Sequence, residues 1–327
     1  MFVVGGESLV DLVPTGEDGE RVAHAGGSPF NCAIALAKLS NPTGFLCPIS
    51  TDAYGDQLLA PLEAAGVELL LKERVAAPTT KAIVTYNARR EASYEFQRGA
   101  DRAFTTAGLI EALPEQLDLF QIGGFCPILP EDAEAWLSVA QAAAARGAVL
   151  TMDPNVRPSL VDDFAAYKAR LDLFLDQVNL VKLSIEDLAA LALGRAVKAE
   201  ELTPAQVETI YEDATRDLLA RPRCKLVIVT FGDAGSRAVT RSGAATAKVF
   251  EAIPFGDTVG AGDSLMAGVL TWLADNGSLS PETLGELGEK ALADMLRFGA
   301  VVAGLNCRHI GCVPPTRDEV DAVLAAA

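Results

Sequence analysis

Short apolar runs alternate with longer amphipathic ones along this chain, and nothing else in it so limits the fold. Phe2-Val3-Val4, Phe120-Gln121-Ile122 and residues 44–49, 148–152, 178–183 and 225–230 have the length and composition of buried strands. Between them, residues 31–39 (opened by Ser28-Pro29), 56–65 (stopped by Gly66), 131–146 (closed by Gly147), 186–193 (stopped by Gly194) and 204–220 carry helical spacing with start and stop signals. Strands this apolar have no wet face, and helices of this number cover both sides. The pattern predicts an α/β fold with a mostly parallel central sheet.

Two stretches break the alternation. Residues 21–25 and 80–96 have the character of antiparallel β, the second as a hairpin turning at Arg89-Arg90-Glu91 with Tyr94 and Phe96 on one face. A hairpin set into an α/β chain serves as a lid over a site or as a subunit contact. The expectation is one domain over residues 1–327, with a small β part from about 9–25 and 79–104.

Acids outnumber bases by 44 to 27, a formal net charge of −17. That excludes a binder of nucleic-acid backbones, which depends on clustered Lys and Arg, but leaves room for a small anionic ligand. Met1-Phe2-Val3-Val4 has neither the basic region nor the apolar length of a signal peptide, and the apolar helical stretch 265–274 is roughly half a bilayer span. The six cysteines form no CxxC, and two histidines, His24 and His309, are too few for a His-rich metal site or a Ser-His-Asp triad with spare parts. A reducing, cytoplasmic setting without membrane contact is expected.

The chemistry concentrates at Asp257-Thr258-Val259-Gly260-Ala261-Gly262-Asp263-Ser264, read as following a strand-like run that ends at Ile253 and as opening the apolar helix. Gly260 and Gly262 permit a tight turn whose amides converge, and the helix start adds unpaired N–H groups and a positive dipole end. Such a hole suits a migrating phosphoryl group, with Asp263 as the acceptor of an attacking hydroxyl's proton. No GxxxxGK[ST] and no GxGxxG occurs, so P-loop and dinucleotide folds lack support.

This stretch resembles the DTxGAGD signature of the ribokinase-like (PfkB) carbohydrate kinases, and among them the chain is most similar to the fructokinases. Gly26-Gly27-Ser28-Pro29-Phe30-Asn31 followed by Gly55-Asp56 resembles the other family signature; Gly6-Glu7-Ser8-Leu9-Val10-Asp11, Asp153-Pro154-Asn155-Val156-Arg157-Pro158, Thr230-Phe231-Gly232-Asp233-Ala234-Gly235 and Pro315 to Val320 follow in family order. The resemblance implies a three-layer α/β/α kinase with a small β-sheet lid, transferring the γ-phosphate of ATP to a sugar with Mg²⁺ and, in this family, sometimes K⁺. It implies catalytic roles for Asp263 and the amides of Gly260, Ala261 and Gly262. Sugar contacts would come from Asp11, Gly26, Gly27, Asn31, Arg98, Asp153, Asn155 and Arg157, besides Asp263. Nucleotide contacts would come from Lys182, Ser184, Thr230, Gly232, Gly235, Gly260, Gly262 and Asn306. Asp187 would reach Mg²⁺ through water, and Asp257 with the Val259 carbonyl would hold a monovalent cation. Departures occur at Ser184-Ile185-Glu186-Asp187, where many relatives have Asn-x-x-Glu, at Gln97 in place of a tyrosine, and at Phe30 in place of a small residue. Fructose is the expected substrate, 2-keto-3-deoxygluconate the alternative (with Arg98, Arg89 or Arg102 meeting its acid), and a non-catalytic sugar or nucleotide sensor the reading from another class. Pairing of two copies through the lid is also expected.

Overall fold

The apolar runs become the strands of a large sheet, and their alternation decides which layer each side chain enters. In the computed structural model, which describes residues 1–15, 20–86 and 92–326, thirteen strands are formed: β1 (Phe2–Gly5), β2 (Leu9–Pro14), β3 (Arg21–Gly26), β4 (Thr43–Leu46), β5 (Glu68–Leu69), β6 (Lys81–Tyr86), β7 (Ala92–Gln97), β8 (Leu119–Gly123), β9 (Val149–Asp153), β10 (Leu180–Ser184), β11 (Leu226–Thr230), β12 (Ser236–Val239) and β13 (Ala244–Ala247). Nine of them lie in the order β13-β12-β11-β10-β9-β8-β1-β4-β5, parallel except for the antiparallel β11-β12-β13 edge. Along β1, Phe2 and Val4 enter one core layer and Val3 the other; along β11, Leu226 and Ile228 part from Val227 and Val229 in the same way. Leu36, Met266, Leu270 and Val302 of helices Ser28–Lys38, Ala261–Asp275 and Glu289–Asn306 fill the first layer. Trp136, Val139, Leu171 and Leu188 of helices Pro130–Ala145, Phe164–Leu175 and Ile185–Leu193 fill the second. The result is a three-layer α/β/α fold.

The other four strands make a separate sheet, β3-β2-β6-β7, in which β2 pairs antiparallel with β3 and parallel with β6. Because β2 follows β1 after three residues, this sheet stands over the carboxyl ends of the large one. The expected turn at Arg89-Arg90-Glu91 lies outside the described residues.

The expected strand-like run ending at Ile253 needs correction. The strand there ends at Ala247, and the chain then runs irregularly to Gly260, with Ile253 66% and Phe255 64% exposed. An Ala-Ala-Thr-Ala strand at a sheet edge carries almost none of the apolar signal that marks a buried one, while the exposed Ile253 mimics it. Among the described residues, no helix is long and apolar enough to cross a membrane.

Candidate active site

Gly260 takes φ +72°, and a β-carbon there would overlap the Cys312 sulfur, so the turn before helix Ala261–Asp275 needs glycine twice over. The Ser264 amide bonds to the Gly260 carbonyl at 2.8 Å and starts the helix. The Ala261 amide bonds back to the Thr258 carbonyl at 3.1 Å. It is therefore committed to the turn and does not join the anion hole as expected; the amides of Gly260, Gly262 and Asp263 have no acceptor among the described residues. The helix start thus offers three unpaired donors and a positive dipole end to an anion.

Asp263 stands in the first helical turn, 7% exposed. One carboxylate oxygen accepts the Ser28 hydroxyl at 2.6 Å and the other the Asn31 amide at 2.9 Å. Burial pushes its pKa up to about 6, with Asp153 adding to the rise and the bonds from Ser28 and Asn31 and the charge of Lys182 opposing it. A carboxylate so tuned is ionised at neutral pH and still basic enough to accept a proton.

Lys182 arrives from the neighbouring strand. Its ammonium donates to Asp153 at 2.7 Å, and a β-carbon on Gly262 would lie 2.8 Å from it, so the charge rests against the anion turn. Burial works against that charge, but Asp153, then Asp187 and Asp263, outweigh it and hold the pKa above the usual lysine range. Asp153 is 2% exposed and its second oxygen has no partner. It does not line the cavity: the expected sugar contact is instead the anchor of Lys182. Asp187 also turns inward. Its oxygens accept the Val156 amide at 2.8 Å and both the amide and hydroxyl of Ser184 at 2.8 Å, closing a capping box and fixing the 155–157 turn.

These groups edge a cavity of about 870 Å³ between the two sheets. Gly27, Asn31, Lys182, Asp263 and the amides of Gly260 and Gly262 form one wall. Asp11, Val13, His24, Val84 and Phe96 of the small sheet form the opposite one, joined by Asn155, at φ +46°, and Arg157. Asp11 and His24 are cross-strand partners, and burial raises the Asp11 pKa against the pull of His24 and Arg157. Gly26 is a strand residue whose missing side chain leaves room for the Asp11 carboxylate. Arg98 does not line the cavity. Its guanidinium bonds Asp101 at 2.7 Å and Asp132 at 3.3 Å, and Arg102 is held by Asp132 at 3.0 Å.

Ser184 and Thr230 end adjacent strands in register, with Gly232 and Gly235 bounding the short turn that follows. They form a shelf beside the cavity and do not line it. Asn306 is fully buried at the end of its helix; its amide donates to the Val259 carbonyl at 2.8 Å and its oxygen accepts the Val313 amide at 2.9 Å. No face of it is left for a purine, and it ties the anion turn to the C-terminal loop. Asp257 does similar work, accepting the Val259 amide at 2.9 Å and the Gly311 amide at 2.7 Å. Ser28 and His24 were missed as site residues. Ser28 was read as a helix opener and as part of the Gly26–Asn31 signature, and His24 only as one of two histidines, within the 21–25 β stretch.

A profile of pfkB family carbohydrate kinases matches residues 2–319. The chain is 31% identical over 298 residues to a fructokinase of Rhizobium leguminosarum bv. trifolii, covering 89% of this chain and 85% of that one. It is 28% identical over 331 residues to fructokinase-2 of Solanum lycopersicum, covering 98% and 94%. The fold superposes on the crystal structure of a Xylella fastidiosa fructokinase with bound ATP at a TM-score of 0.84 and 25% identity, covering 99% and 98% of the two chains. A ribokinase of Giardia lamblia shares the fold, with a TM-score of 0.79 at 22% identity over 99% and 98% of the chains. With the family profile matching residues 2–319 and a fructokinase relative 31% identical over a span covering 89% of it, this chain belongs to the pfkB family of carbohydrate kinases and is a sugar kinase.

Proposed function

We propose that the protein is a fructokinase that moves the γ-phosphoryl group of ATP to a primary hydroxyl of fructose. One observation carries the reading: the Asp263 carboxylate, its rotation fixed by Ser28 and Asn31, stands beside unpaired amides and the Lys182 ammonium. Asp263 accepts the hydroxyl proton as the oxygen attacks. The amides of Gly260, Gly262 and Asp263 take up charge growing on the phosphoryl oxygens, and Lys182 neutralises it further. Asp11, Asn31 and Asn155 offer the sugar acceptors and donors, and the small sheet excludes water that would divert the phosphoryl group. The same sheet is the face through which two copies would pair. The names of the curated relatives support fructose. Of the arginines considered for an acid sugar, Arg98 and Arg102 are spent on Asp101 and Asp132, and Arg89 lies outside the described residues; the guanidinium that lines the cavity is Arg157.

Mg²⁺ finds no direct ligand in Asp187, both of whose oxygens are occupied, and the described residues hold no group of three or more acidic, His or Cys side chains fit for a metal. A divalent ion would come with the nucleotide's phosphates. The proposed K⁺ site at Asp257 and Val259 contains no orphaned buried oxygen, its acceptors being matched by protein donors, so no step is assigned to that ion.

ADP release should be measured with fructose, 2-keto-3-deoxygluconate, ribose and tagatose. Fructose should give the highest kcat/KM. Preference for the acid sugar would replace fructokinase with 2-keto-3-deoxygluconate kinase, and calorimetric sugar binding without any ADP release over hours would make the protein a sensor.

A further inference from the structure

Glu7, Leu9, Asp11 and Val13 all line the cavity, at alternate positions where β1 passes into the small sheet. Asp11 has a place in the proposed reaction; Glu7 has none. Its side chain is nevertheless built in. Glu7 is 4% exposed, and one oxygen accepts the Phe125 amide at 2.9 Å. Gly124, at φ +58°, makes room for it, since a β-carbon there would fall on the carboxyl group. Arg98, whose charge reaches it, is bonded instead to Asp101 and Asp132 and lies 4.6 Å over the Phe125 ring. A carboxyl kept this dry with only backbone amides as donors, those of Phe125 and of Glu7 itself, and no ion pair costs stability, and such groups gather where a ligand completes them.

The groups facing Glu7 are Arg98 and Asp101 after β7, Cys47 after β4 and Cys126 after β8. Burial pushes its pKa up to about 7, with the Phe125 amide and Arg98 opposing and Asp101 reinforcing. Near neutral pH the group therefore both donates and accepts hydrogen bonds. The charges that act on Asp263 are others, Asp153 and Lys182, which places the two carboxyls in separate clusters around one cavity.

We propose that Glu7 is a substrate-recognition carboxyl, which hydrogen-bonds a hydroxyl of the acceptor other than the one phosphorylated and thereby selects neutral polyhydroxy acceptors over those with an anionic group at that position. An anion there would face Glu7 with Arg98 already committed, an unpaired contact of like charge. The assignment of the hydroxyl rests on the sugar-kinase reading; the selectivity follows from the charges.

Glu7→Gln keeps the shape and an oxygen for the Phe125 amide, and Glu7→Asp withdraws the carboxyl by one methylene. At pH 8, fructose Kd by calorimetry and fructose KM should both rise about tenfold in each variant, the size of one lost hydrogen bond to a charged group. The KM for ATP should not move, and the ratio of activity on fructose to that on 2-keto-3-deoxygluconate should fall. Unchanged fructose Kd in folded variants, or an unchanged ratio, overturns the proposal. The two readings fail separately. If wild type releases ADP from fructose and the variants match it, Glu7 is structural and the kinase reading survives. If fructose binding weakens in the variants but no sugar yields ADP, Glu7 stands and the kinase reading falls.

Discussion

The two walls of the cavity are built on opposite terms. On the large-sheet wall the side chains proposed to act on the phosphoryl group and the hydroxyl are already engaged: Asp263 by Ser28 and Asn31, Lys182 by Asp153. On the small-sheet wall Asp11 accepts no hydrogen bond from the protein among the described residues, and it shares that wall with Val13, Val84 and Phe96. The strands beneath the first wall are buried end to end, whereas β2 and β3 are half-buried and exposed over most of their length. The difference divides the labour. Groups that must hold charge within a fraction of an ångström are fixed by other protein groups before any ligand arrives. Groups that recognise an acceptor keep their hydrogen-bonding capacity for it.

If that division holds, damage to the first wall should strike kcat and damage to the second KM. The largest effect belongs to Asp263→Asn, which keeps a near-isosteric side chain but removes the base. A loss of roughly 10³-fold in kcat with sugar Kd nearly unchanged is expected. The same variant should not be destabilised. The native pKa of Asp263, about 6, lies above the ordinary carboxylate value, so its ionisation costs stability as pH rises from that ordinary value, the full penalty standing above about pH 6. Thermal melts should therefore favour the variant at pH 8 and show the gap closing towards pH 4. A variant that turns over sugar at a tenth of the wild-type rate would show that the base lies elsewhere.

Asp11→Asn tests the opposite wall. Fructose KM should rise between about tenfold and a hundredfold, as expected when a charged acceptor for ligand hydroxyls is lost, with kcat held within a few fold. Steady-state kinetics at saturating ATP decides it. An equal fall in kcat and kcat/KM would mean that Asp11 acts in the transition state and that the two walls are not separable.

The sequence carried these walls unequally. Strands such as 226–230 were legible because Val227-Ile228-Val229 can only be buried, and the anion turn because two glycines one residue apart precede an apolar helix. The β12-β13 edge and helix Phe164–Leu175 were not, the one too poor in apolar residues, the other opened by an Asp163 N-cap that was not read as a start. Within the site, Asp263 could be placed from its motif, since the turn that carries it is local in sequence, though Ser28 and Asn31, which hold its carboxylate, are not. Asp153 could not. Whether it meets a sugar or Lys182 depends on how adjacent strands carry the two side chains to the same end of the sheet, which pairing across 29 residues decides. Asn306 failed for a related reason: a residue ending a helix points wherever the following loop lets it, here at Val259 and Val313.

The smallest effect tests how finely the first wall is set. Ser28 donates to Asp263 at 2.6 Å, a bond that stabilises the ionised form and so pulls the pKa down against burial. Ser28→Ala removes the donor and leaves Asn31 as the side chain still holding the carboxylate. The pKa of the base should then rise, moving the acidic limb of the kcat/KM profile upward by on the order of half to one pH unit. At pH 8 the variant should run close to wild type, because the base is ionised in both. Near pH 6 it should fall behind by a few fold, because more of it is protonated and idle. Superimposable limbs would mean that the Ser28 hydroxyl leaves the carboxylate during the reaction, and that the large-sheet wall is less settled than its hydrogen bonds make it.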